Sequence, residues 1–345
     1  MKNLIWIFLF ITATTFAQNP KEAFELVKDG VKLHDSGQYQ EALKLYEEAL
    51  KIDKDNFYAL SETSITLSAL QNYKEAIKYC ELVIKKYPKK DLSATYLNLA
   101  NSYDHIGLSQ KALQTYDKAL KKYDDYYQLH FNKGVTLINM NKTAEAFESF
   151  KKSAALNLNH ANSLNAIIIL NQKKKIPTIL AASRYLILDN KSPRAKNHLE
   201  LLKDKIQFDV KRTGTNEISI NLSQDLLLMD KKSPDNFSTT EMILAMKIAT
   251  VLVDTTLTEN EMQQFITVYT ILCQSLKESI EKNKGYYWET FAPFFVEMYD
   301  NDYVEVFANL IHAPTEDPTV LEYLATNEDK VHEFLSWAHN WKKRN

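Results

Sequence analysis

Glycine is nearly missing from this sequence: six residues in 345, beside eight prolines and two cysteines. So few glycines leave no phosphate-cradling loop, and neither GxGxxG, GxxxxGK[ST] nor GxSxG occurs. A turn-rich β fold is equally disfavoured, which points to helices. Cys80 and Cys273 stand far apart and form no CxxC, which excludes a disulfide framework. Each lies within an apolar helical pattern, so two buried thiols are expected. Long apolar runs are also lacking. The longest, Leu4 to Ile11 in "MKNLIWIFLFITATTFAQ", is too short to span a bilayer and follows a lysine. That stretch, residues 1–17, reads as a secretory signal peptide cleaved after Ala17, with no membrane span afterwards. The expected location is exported, periplasmic or secreted.

What is present is helical and repetitive. "GQYQEALKLYEEAL" at 37–50 returns as "NYKEAIKYCELVIK" at 72–85, "LSQKALQTYDKALK" at 108–121 and "KTAEAFESFKKSAA" at 142–155. In units starting at Ala23, Phe57, Ser93 and Tyr127, offset 8 holds Gly30, Ser64, Ala100 and Gly134. Offset 24 holds Tyr46, Cys80, Tyr116 and Phe150. Small residues at 8, 20 and 27 let two antiparallel helices approach, and larger ones at 11 and 24 fill the space between them. Polar residues near offset 15 turn the chain. A fifth, degraded copy starts at Ala161, departing from the pattern at Pro177 and the lysine run. A capping helix, "RAKNHLELLK", follows.

These residues resemble the tetratricopeptide repeat (TPR), a helix–turn–helix unit of about 34 residues. The expected fold is all-α: a TPR-type solenoid over residues 21–206, a connector at 207–237 and a compact helical domain at 238–345. Ser238–Glu241 and Thr258–Glu261 read as capping boxes, the second opening a helix over roughly 259–283. About five helices are expected in that last domain. The alternation at Ile218–Ser219–Ile220 suggests a short strand or an extended connector. The C-terminal part loosely resembles an uncharacterised extension of some exported bacterial TPR proteins.

The resemblance implies that the first helix of each pair lines a concave groove for a protein or peptide partner. The residues so placed include Phe24, Val31 and His34, then Tyr58 and Ile65, then Leu97, Asn101 and Asp104, and finally Phe131 and Val135. The groove would be apolar and aromatic, with Asn101 and Asp104 as polar points. It lacks the lysine/asparagine clamp by which chaperone-binding members hold a terminal carboxylate.

No catalytic constellation, cofactor site or metal site is read from the sequence, so a non-enzymatic scaffold is expected. His34–Asp35–Ser36–Gly37 has triad residue types, but adjacent residues on a turn cannot form a triad. His332–Glu333 opens like HExxH, yet Ser336 stands where the second histidine belongs. His339 is two turns on, about 10 Å along the axis. Nucleic acid is disfavoured because the lysine runs sit at helix ends and turns, and the net charge is −2. Residues 1–206 carry 30 Lys/Arg and 22 Asp/Glu, and residues 207–345 carry 12 and 22. The plain reading is solvated faces of differing sign; the other is attraction between the halves or an acidic partner. A different class of function, carbohydrate or small-ligand binding, would use Tyr286, Tyr287, Trp288, Trp337 and Trp341.

Overall fold

The computed structural model describes residues 20–206, 210–212, 217–220, 234–253 and 260–342. The expected signal peptide lies outside the described residues, as does most of the 207–237 connector. The chain divides into two compact units, Met1–Asp124 and Asp125–Asn345.

The first unit holds three helix pairs: α1 (Pro20–Asp35) with α2 (Tyr39–Ile52), α3 (Phe57–Ala69) with α4 (Tyr73–Lys86), and α5 (Ser93–His105) with α6 (Ser109–Leu120). Ala42, Ala76 and Ala112, all at offset 20, are fully buried, because only a methyl fits where the paired helices meet. At Gly30 even a methyl would overlap the Tyr46 ring. The turns share one backbone solution. Offset 15 is left-handed in every copy of this unit: Gly37 and Gly107 at φ 79°, Gln71 at φ 60°. The following amide then reaches back to the first helix, as Gln38 N donates to Leu33 O at 2.8 Å and Asn72 N to Leu67 O at 2.8 Å. This is the Schellman closure, which a left-handed residue makes possible. α1 touches α3 and α3 touches α5 more closely than the second helices touch one another. The first helices therefore form the inner side of this unit.

The second unit continues with α7 (Tyr127–Asn139) and α8 (Thr143–Leu156), then α9 (Ala161–Asn171) and α10 (Lys175–Leu188), capped by α11 (Pro193–Ile206). The fifth pair thus begins at Ala161 as its register requires. Pro177 is the third residue of α10, where its missing N–H costs nothing. α10 is buried at every position from Ile176 to Ile187. A helix surrounded on all sides has no polar face to conserve the repeat pattern, which explains the degraded sequence.

A two-stranded antiparallel ladder pairs β1 (Val210–Arg212) with β2 (Ile218–Ile220), the expected strand. Among the described residues of the last domain seven α-helices stand rather than five: α12 (Ser238–Val253), α13 (Glu261–Ser279), α14 (Tyr286–Thr290), α15 (Ala292–Asp300), α16 (Val304–His312), α17 (Pro318–Thr326) and α18 (Glu328–Asn340). Pro293 and Pro318 fall in first turns, where proline's missing N–H is tolerated. The caps sit differently from the expected boxes. Asn236 Oδ1, ahead of Ser238, accepts Ser238 N at 2.9 Å, and Asn260 Oδ1 accepts Gln263 N at 2.9 Å.

α10 packs against α16 and α18 as well as against α9 and α11. The joint is made by hydrogen bonds to backbone carbonyls and by stacking. Asn190 donates to Leu310 O at 3.0 Å, Asn159 to His339 O at 2.7 Å and Arg184 Nη2 to Ala338 O at 2.8 Å. The Arg184 guanidinium lies over the Phe294 ring at 4.4 Å. Burial depresses its pKa to about 9.

Candidate functional site

On the inner side of the first unit, Phe24 and Tyr58 project into solvent, 52% and 54% exposed. Both occupy offset 2, on the first turns of α1 and α3, so the repeat sets them on the same face. Val31, Ile65 and Leu97 are partly buried. His34 Nδ1 meets Thr66 Oγ1 at 2.8 Å, tying α1 to α3.

The two expected polar points turn inward instead. Asn101 Oδ1 accepts the Tyr116 hydroxyl of its own pair, and Asp104 Oδ1 accepts Ser109 Oγ at the start of α6. A polar ladder between α3 and α5 stands nearby. Ser68 Oγ donates to Asn98 Oδ1 at 2.7 Å, Asn98 Nδ2 donates to Ser64 Oγ at 3.1 Å, and Ser68 and Ser102 hydroxyls lie 3.1 Å apart. The ladder was missed at the sequence level, although Ser64–Asn98 and Ser68–Ser102 are each one repeat length apart. Recurrence of small polar residues at that interval was the available signal.

In the second unit, Phe131 is half-buried, its ring 5.6 Å from Phe150 and 4.7 Å from His160. Burial lowers the His160 pKa. Val135 and Ile138 on α7 are exposed, and Ile169 on α9 is 55% exposed. Ile169 holds offset 9 of the fifth pair, the position of Val31, Ile65, Asn101 and Val135. Extending the same offsets into the degraded copy would have found it. Asn165, one turn earlier, is engaged by His198 Nε2 of α11 at 2.9 Å.

The C-terminal aromatics are used for packing. Trp288 is buried, stacked on Phe237 at 4.2 Å, and its indole N–H donates to Asn236 O at 3.2 Å. Tyr287 is buried and its hydroxyl accepts from Asn171 Nδ2 at 2.9 Å. Tyr286 is largely covered, with its hydroxyl buried. Trp337 and Trp341 both lean on Phe294 and spend their indole N–H groups on the two Glu297 oxygens, each at 3.2 Å. A sugar platform needs an open ring face, and these rings give theirs to one another.

Paired helices repeating at this interval, with small residues at every close approach, define a helical-repeat protein. Tetratricopeptide-repeat family models match residues 33–104, 94–126 and 127–160, so residues 33–160 carry tetratricopeptide repeats. It is 26% identical over 182 residues to the human protein O-mannosyl-transferase TMTC3, covering 49% of this chain. The chain spans 20% of that relative's length. Among solved structures it is similar to TTC0263, a TPR protein of Thermus thermophilus, at 20% identity. That match covers 53% of this chain and 98% of the other, with a TM-score of 0.43. A second likeness is to PilF of Pseudomonas aeruginosa: 16% identity, 54% and 89% coverage, TM-score 0.44. These likenesses concern fold alone.

Proposed function

We propose that this chain is a non-enzymatic scaffold that holds a peptide or a partner-protein segment against the first helices of its repeats. The observation that carries this is the pair of outward-facing aromatic rings, Phe24 and Tyr58, on the inner side of the first unit. Rigid aromatic anchors are the residues on which partner binding most often concentrates, and their repeat-matched placement gives two anchors on one face. Tetratricopeptide repeats, as arrays of helix pairs, present such a face without any moving catalytic part.

Photo-crosslinking tests the reading. A benzoyl-phenylalanine placed at Tyr58 or Phe24 should yield a discrete adduct with a partner in cell extract. The same group at Lys44 or Lys74, exposed on second helices, should not. Equal labelling from both sides would dismiss the inner face as the binding surface.

Export is the other part of the proposal and rests on the leader-like residues 1–17 alone. Mass spectrometry of the protein made in a bacterial host should find a mature chain starting at Gln18; a chain retaining Met1 would remove export.

A further inference from the structure

Ion pairs in the first unit join Glu25 to Lys28, Asp29 to Lys32, Glu75 to Lys78 and Asp55 to Lys86. One end of the unit keeps lysines without a carboxylate. Lys89 and Lys90, in the turn after α4, and Lys118 and Lys122, near the end of α6, are exposed. Among the described residues none of the four makes an ion pair. Asp91, beside Lys90 in the chain, accepts Ser93 N at 2.9 Å.

Contacts bring these lysines to one place. Lys122 Nζ donates to Pro88 O at 3.4 Å, and the Tyr123 hydroxyl accepts Leu92 N at 3.0 Å. The end of α6 is thereby laid on the turn between α4 and α5. Phe57, Tyr87, Tyr96 and Tyr123 pack on one buried cluster, Leu60, Val83 and Leu92. The ammonium groups lie over those rings: Lys90 at 5.6 Å from the Phe57 centroid, Lys118 at 5.5 Å from Tyr96 and Lys122 at 5.1 Å from Tyr123. A ring face steadies one side of an ammonium but leaves N–H donors for another acceptor. Phe57 also links the lysines to the scaffold face, since its ring is 5.2 Å from that of exposed Tyr58.

We infer that Lys89, Lys90, Lys118 and Lys122 receive the acidic side chains of a peptide whose apolar anchor rests on Tyr58. This rests on the scaffold reading above and names the chemistry of the partner. Ammonium groups gathered within a screening length repel one another, and carboxylates relieve that repulsion while accepting their N–H groups. An anionic membrane suits the surface less well. Its interfacial layer takes up outward-standing aromatic rings, whereas the Tyr87 and Tyr123 hydroxyls turn to Asp55 O and Leu92 N.

The test uses the full chain as bait for a random-peptide display library, followed by anisotropy on the enriched peptides. The expected result is enrichment of an apolar residue accompanied by two or more Asp or Glu. Changing those acids to Asn or Gln should weaken binding by about tenfold, and amidating the peptide's C-terminus should change nothing. The double variant Lys90→Glu, Lys122→Glu should lose the preference for the acidic form, while Tyr58→Ala should weaken both forms. Enrichment of peptides without acids, binding abolished by amidation, or a double variant that still prefers acids overturns the lysine subsite and leaves the scaffold reading standing. Failure to enrich any peptide overturns both. Vesicles of phosphatidylglycerol in phosphatidylcholine should not sediment the full chain. Sedimentation that the double variant loses would give the lysines to a membrane and overturn the peptide subsite. Matching thermal melts show that the double variant is folded; if it melts early, Lys89→Gln with Lys118→Gln carries the same comparison.

Discussion

Gly134 on α7 lies directly beneath the ring of Phe150 on α8: a methyl there would come 2.6 Å from Phe150 Cε1 and 2.8 Å from Cδ1. The same offsets bring Gly30 under Tyr46 in the first pair. Two helices can approach this closely only where one contributes no side chain.

Gly134→Ala should therefore destabilise the second unit by about 1–2 kcal/mol, although alanine is the better helix former by roughly 1 kcal/mol. Phe150→Leu in the same chain should return part of the loss. Urea unfolding followed by tryptophan fluorescence reports this unit, since Trp288, Trp337 and Trp341 all lie in it.

The turn position offers the opposite sign. Gln71 and Asn141 hold φ of 60° and 59°, where glycine stands in the two sister turns. Gln71→Gly should stabilise the first unit by about 0.5–1 kcal/mol, and Gly37→Ala should cost about 1 kcal/mol. Circular dichroism melts of both variants check the pair; a destabilised Gln71→Gly would mean that the side chain matters more than the backbone.

Arg184 joins the repeats to the C-terminal helices without a counter-ion among the described residues. Its Nη2 holds Ala338 O, and its plane covers Phe294. Arg184→Met keeps the stem packing and removes the donors, leaving buried acceptors unmet at a cost of about 2–4 kcal/mol. Hydrogen exchange should show protection lost first over Glu328–Asn340.

Acid should loosen the second unit. Burial holds the His160, His198 and His312 pKa values below the ordinary histidine value. Unfolding restores a pKa of about 6.5, so below that pH the unfolded chain takes up protons that the folded one refuses. The contribution of these three histidines is constant above about pH 7 and falls as pH drops through about 6.5 toward the folded-state values. His312 Nδ1 is occupied by Ala308 O at 2.8 Å, so the second proton must go to Nε2 of a ring that packs 4.8 Å from the Phe265 ring. Lys203 opposes that proton and Glu200 favours it. His312→Leu should flatten part of the acid limb in urea midpoints measured across pH.

Both cysteines are free and buried. Burial raises the Cys80 thiol to about 11 and Cys273 further still. Neither should react with Ellman's reagent in the native protein, and both should react at once in denaturant.

The repeat was legible because its information is local. Small residues at fixed offsets, an aromatic ring sixteen residues after Gly30, Ala100 and Gly134, and a left-handed turn between them follow from steric limits that any copy must obey. The fifth pair was readable in register yet not in meaning. Its second helix looks degraded because a neighbour from more than a hundred residues later covers it, as Arg184 to Ala338 illustrates. Asn101 and Asp104 sat on the expected face, yet their side chains were claimed by Tyr116 and Ser109, a choice of rotamer and partner that spacing does not encode. The bond from His34 to Thr66 came from stacking. The sequence alone determined that helices pair and repeat, because that rests on backbone and side-chain size within one unit. Tertiary packing decided which polar groups remain unmatched, because a charge's environment is set by whatever the neighbouring repeat brings beside it.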